Sequence, residues 1–148
     1  MLPWLLGGVL AVSLSISLVT DLRSRRIPNL VTFPAFGAAL LLRMALGGWD
    51  AAADGLLGAA IAFVPFFLLA WAGGMGMGDV KLVAVVGACV GAERVPWALF
   101  CIALVGGLQG VAALLARRGR GGRATVPYGV AIALGTACAL AWRPWAGG

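Results

Sequence analysis

The sequence predicts an all-α protein, a polytopic integral membrane bundle of about six transmembrane helices, and three observations carry that expectation. The 148 residues are 62% hydrophobic and 11% charged, with a mean hydropathy of +1.03, whereas soluble domains are about 25% charged. Positions 1–20, 55–78 and 95–116 contain no Asp, Glu, Lys or Arg, and about 20 mostly apolar residues in a helix cross a hydrocarbon core about 30 Å thick. The apolar segments are too long and too uniform for barrel strands, so helices are what satisfies their backbone in lipid.

Charged punctuation divides the chain into six apolar segments, at about 3–20, 28–42, 55–72, 80–92, 95–116 and 124–142. The first has no basic flank before it and an Arg cluster after it, so it reads as a retained span rather than a cleavable signal peptide. The second opens at Pro28, a residue suited to a first helical turn. The second and fourth are short, and each lies beside a carboxylate. Gly87 and Gly91 in the fourth, and Gly106 and Gly110 in the fifth, have the GxxxG spacing that permits close helix approach. Gln109 reads as an interhelical hydrogen-bonding amide. Cys89, Cys101 and Cys138 stand singly in apolar stretches of a chain without histidine. That pattern argues against a zinc site or disulfide framework and for small packing residues. No metal and no cofactor is expected, and the whole chain, 1–148, reads as a single transmembrane domain.

The net charge of +6 and pI near 10.7 would suggest nucleic acid in a soluble protein. Here the cations collect in short loops. Loops 21–27, 73–81 and 117–123 carry eight of them, and only Arg43, Arg94 and Arg143 fall on the other side. The positive-inside rule makes the first set cytoplasmic and puts both termini outside. On that reading the run "RRGRGGR" at 117–123 is an anchor loop, the bilayer is a partner and nucleic acid is not.

Of the five acids, Asp50, Asp54 and Glu93 fall in outer loops as solvated charges. Asp21 closes the first span and Asp79 opens the fourth, so both are expected at one membrane face. Ionisable groups at such a boundary are costly and tend to face a bundle interior or wet cavity. Two carboxylates sharing a proton can activate water and polarise a carbonyl together. The glycines at 73, 74, 76 and 78 permit close backbone approach and positive φ, and neither a P-loop nor a GxGxxG pattern is present. The residues alone also leave open an ion-pair or transport role for the two aspartates.

The stretches "DLRSRRIPN" at 21–29 and "GMGDVKL" at 76–82, with "PYG" at 127–129, resemble the type IV prepilin peptidase family, membrane aspartic proteases of the GxGD kind. The similarity runs from about residue 14 to 135. It implies that Asp21 and Asp79 are catalytic. Gly76, Gly78, Lys81, Arg26, Pro28, Asn29, Pro127 and Gly129 would then support the site or touch substrate. Expected substrates are prepilin-like precursors with a basic leader and an apolar helix, cut at the cytoplasmic face of a bacterial inner membrane. The resemblance is to the short form associated with tight-adherence (Flp) pili and to archaeal preflagellin peptidases. The paired-cysteine N-methyltransferase domain of longer members is not expected. A small proton- or ion-linked transporter and a non-catalytic pilus or secretion assembly factor are the competing readings.

Overall fold

A computed structural model describes residues 2–24, 29–73, 75–116 and 128–141. They form five helices: α1 Leu2–Ser24, α2 Asn29–Trp71, α3 Met77–Val90, α4 Val95–Ala116 and α5 Tyr128–Ala141. There is no strand among the described residues. Three stretches are long and apolar enough to cross a membrane, Leu2–Asp21, Leu30–Trp71 and Val95–Ala113, so the fold is that of a helical membrane protein.

The second of these stretches has 42 residues, about twice what a bilayer needs. It is broken at Gly48, whose φ of 76° and ψ of −168° only glycine adopts without steric cost. Across the break, Arg43 Nη1 lies 2.9 Å from Asp54 Oδ2, although 11 residues of unbroken helix rise about 16 Å. The chain therefore reverses at Gly48, and the two arms of α2 are the expected second and third segments. The connection expected as an outer loop is helix on both sides of a single residue.

The helix ends sort into two groups. Leu2 of α1, Arg43 and Asp54 of α2, Cys89 of α3 and Leu140 of α5 line one cavity of about 380 Å³. At the other end, Asp21 of α1 meets Gly129 of α5, and Phe33 of α2 meets Lys81 of α3. Hence α1 runs antiparallel to α3 and α5. Helix α3 is the centre of the core. Val80, Leu82, Val83, Val85, Val86 and Ala88 are all buried, as a helix apolar on every side must be, and α3 packs against all four other helices. Large apolar side chains such as Trp4, Leu41, Leu56 and Leu108 are exposed, which suits a lipid surround.

Helices α2 and α3 approach backbone to backbone. A Cβ on Gly58 would sit 2.5 Å from the Gly87 carbonyl oxygen, and one on Gly87 would collide with the Gly58 carbonyl. Gly106 likewise faces Tyr128 and Ala131 of α5. Of the other two GxxxG glycines, Gly110 has nothing within 4 Å, and Gly91 ends α3 with φ 90°. The expected hydrogen bond of Gln109 is corrected too, because its Oε1 is buried without a partner among the described residues.

Gly87→Leu is expected to destabilise the bundle by about 1–3 kcal/mol or more, because rigid backbone cannot move aside. Gly110→Ala, facing open space, should leave the midpoint unchanged or higher. Thermal unfolding of both variants in detergent checks this pair.

Candidate active site

Along α1, Leu6, Leu10, Ser13, Ser17 and Asp21 are the buried residues, and their three- and four-residue spacing is one helix face. Asp21 is the last of that stripe and is only 7% exposed. Such a buried carboxylate needs a donor, and α5 supplies it. The Gly129 N–H donates to Asp21 Oδ2 at 3.0 Å, so the carboxylate lies against the positive end of a helix. A Cβ at Gly129 would stand 2.6 Å from that oxygen. Only glycine lets α5 come so near.

Asp79 is held by a similar device on α3. Gly76 is the N-cap, extended at φ −78° and ψ 146°, which makes Asp79 the third helical residue. Its carboxylate turns back to accept the Gly76 backbone N–H, one half of a capping box, while its own N–H donates to the Gly76 carbonyl at 3.1 Å. A Cβ at Gly76 would lie 3.3 Å from Asp79 Oδ2, a close contact that explains a glycine three positions before the aspartate. Asp79 precedes the apolar stretch that begins at Val80. Burial pushes its carboxyl up to about 6, the negative charge of Asp21 pushes the same way, and the Gly76 hydrogen bond opposes them. The two aspartates thus converge closely enough for the charge of one to act on the other. The negative charge of Asp21 makes ionisation of Asp79 harder.

The remaining expected residues divide three ways. Gly78 sits half-buried in the first turn of α3. Lys81 Nζ lies 5.2 Å from the centre of the Phe33 ring, a cation–π distance. Asn29 opens α2, but its side chain lies outside the described residues, as do Arg26, Pro28 and Pro127 altogether. Of the expected glycine conformations, Gly73 has positive φ at 81° and Gly76 does not. Phe33 carries no signal in the sequence, because its partnership with Lys81 exists only once α2 and α3 pack.

Asp54 is not the free solvated charge expected of an outer loop. Its Oδ2 takes Arg43 Nη1 at 2.9 Å and its Oδ1 takes the Ala92 N–H at 3.0 Å. Arg43, 6% exposed, also donates to the carbonyls of Ala51 and Cys89. The reversal at Gly48 is what brings 43 and 54 together. This cluster and its cavity lie at the far end of α1 from Asp21, about 28 Å along the helix, and take no part in the aspartate site. Among the described residues, no three His, Cys, Asp or Glu side chains gather as metal ligands would.

Comparison with known proteins adds the following. The model of the type IV leader peptidase family matches residues 8–111, a range that holds both aspartates. The chain is similar to the prepilin leader peptidase/N-methyltransferase of Bacillus subtilis, 40% identical over 137 residues, which is 89% of this chain and 54% of that protein. To the Aeromonas hydrophila protein of the same name it is 32% identical over 129 residues, 82% of this chain and 44% of that one. For the Pseudomonas aeruginosa protein the figures are 28% over 149 residues, 94% and 50%. The chain spans about half the length of the curated relatives it matches. No solved structure matches it.

A carboxyl raised in the folded state from 3.8 to about 6 binds more protons folded than unfolded, so its contribution to stability is complete below pH 3.8 and is lost as pH rises through 6. Asp79→Asn cannot charge. Its melting temperature is therefore expected to exceed that of the parent chain at pH 7.5 and to converge with it near pH 4. A pH series of melting curves reads the difference, and a constant offset would contradict the assignment.

Proposed function

Because the chain belongs to the type IV leader peptidase family, we propose that it is a membrane-embedded aspartic endopeptidase that removes the basic leader from prepilin-like precursors. The observation that carries the reading is the convergence of Asp21 and Asp79, from two different helices, at one end of the bundle, with the charge of one acting on the other. The relatives' names attach leader peptidase activity to proteins of which this chain matches about half.

The chemistry follows from the two environments. Asp79, with its raised carboxyl, holds the proton of the pair, and Asp21, facing the N-terminus of α5, acts as the base. A water between them attacks the scissile carbonyl carbon, Asp21 takes its proton, and Asp79 gives its own to the carbonyl oxygen. The tetrahedral diol then collapses. Asp21 passes its proton to the leaving nitrogen, and Asp79 recovers one from the diol hydroxyl as the new carboxyl forms. No cofactor is needed for this sequence.

The aspartate end faces the cytoplasm of a bacterium in this reading, with both termini outside the inner membrane, and the eight-to-three split of cations supports that orientation. A precursor whose basic leader stays in the cytoplasm while its apolar helix sits in the bilayer has its junction at the same level. Helical amides are protected in lipid, so the substrate must unwind there. Gly76 and Gly78 offer backbone without side-chain bulk next to Asp79.

Asp21→Asn and Asp79→Asn are each expected to lower leader cleavage by about 10²–10⁴-fold while the protein still inserts. Co-expression with candidate pilins, read by gel shift, is the assay, and normal processing by either variant would sink the proposal. Gly129→Ala, which displaces Asp21 without removing it, is expected to cost up to about 10²-fold in the same assay.

A further inference from the structure

Two hydroxyls behind Asp21 are used by nothing described so far. Ser17 and Thr136 are both fully buried, and Ser17 Oγ and Thr136 Oγ1 have no hydrogen-bond partner among the described residues. Serine and threonine in apolar helices usually satisfy themselves on a carbonyl one turn back. Ser13 does so on Leu10, and Thr20 does so on Ile16. Ser17 and Thr136 leave that local option unused.

Their placement is informative. Ser17 is on the same buried face of α1 as Asp21, one turn away, about 6 Å along the axis. On α5, Tyr128 and Ala131 face Gly106 of α4, and Gly135 faces Ile102 of α4, whereas Gly129 faces Asp21. Thr136 stands seven residues after Gly129, two turns on and on nearly the same side, so it belongs to the stripe of α5 that meets α1. Because the two helices are antiparallel, both hydroxyls lie on the same side of the Asp21–Gly129 contact, Thr136 about 10 Å and Ser17 about 6 Å from it. Their heights differ by about 4 Å, within the span that one water bridges. A buried water is stable where two to four polar groups converge. Ser17 and Thr136 are two such groups.

We propose that Ser17 and Thr136 hold a buried water directly behind Asp21, and that they are positioning residues which supply this water to the aspartate pair. The supply role rests on the proposed hydrolytic function; the water site does not. Each peptide bond cut consumes one water, and this one lies on the buried side of Asp21.

Water-edited solid-state NMR on the full, ¹³C-labelled chain in phospholipid bilayers tests the site without reference to activity. Fast transfer from water protons to Cβ of both Ser17 and Thr136 is expected in the parent chain. Transfer to Thr136 should be lost in Ser17→Ala and kept in Ser17→Thr, which retains the hydroxyl. In the cleavage assay, Ser17→Ala should lower kcat by about tenfold with KM unchanged, and Ser17→Thr should restore it. Absence of transfer in the parent chain, or transfer to Thr136 that survives in Ser17→Ala, would overturn the site. An unaltered kcat would overturn the supply role. A parent chain that cuts no precursor would instead fail the peptidase reading and leave the NMR result to decide the water.

Discussion

Two helix N-termini, each aimed at a carboxylate, are the interaction on which the arrangement of this bundle turns. Negative charge in apolar surroundings is costly unless hydrogen bonds replace the lost water. Here the backbone supplies them, Gly129 at the start of α5 for Asp21 and Gly76 at the start of α3 for Asp79. Both donors are glycines for a steric reason, since a Cβ at either position would press on the carboxylate it serves. The Gly129 contact also fixes how α1 and α5 meet at that end, whereas the Gly76 contact lies within α3 and sets how Asp79 sits on that helix. The geometry of Asp21 and the packing of α1 on α5 are therefore one constraint.

The opposite end is closed by a different device. Arg43 and Asp54 join the two arms of α2, and between them they bind the Cys89 carbonyl and the Ala92 N–H at the end of α3. The pair is only partly buried, with the Asp54 side chain 44% exposed, and such pairs contribute modest net stability. Here the pair sets the position of α3 between the arms, at the end remote from Asp79. A helix of 14 residues, about 21 Å long, is thereby clasped to the arms of α2 at its C-terminal end, while its N-terminal end is capped from within by Gly76 and Asp79. The backbone contact of Gly58 with Gly87 lies between them.

Much of this was legible beforehand, and the misses share a cause. The helical membrane class followed from three uncharged stretches, and the pairing of Asp21 with Asp79 at one end followed from counting alternating spans. The glycine before Asp79 and the glycine of "PYG" were singled out through the family resemblance, and the structure supplies the reason for each. The errors concern Asp54 and Gln109. Asp54 looked like a loop charge because nothing local shows that Gly48, one glycine among 23, is where α2 reverses. Arg43 and Asp54 are eleven positions apart, a spacing with no meaning in a continuous helix. Gln109 was expected to make an interhelical hydrogen bond, and its Oε1 finds no partner among the described residues, because its own segment does not reveal what faces it.

By itself, the sequence determined what depends on composition and order: a helical membrane protein, apolar runs long enough to cross a bilayer, and a carboxylate beside each of two apolar runs. Those features come from the solvation of individual residues and the length of apolar runs, which are properties of the chain read linearly. Only the tertiary structure decided which backbone amide each carboxylate receives, which residues behind Asp21 lack partners, and that Arg43 reaches Asp54 and α3. Each of these depends on distances between residues remote in the chain. A distance of that kind is set by side-chain volume and backbone approach at every helix contact at once, and no single stretch of sequence contains it.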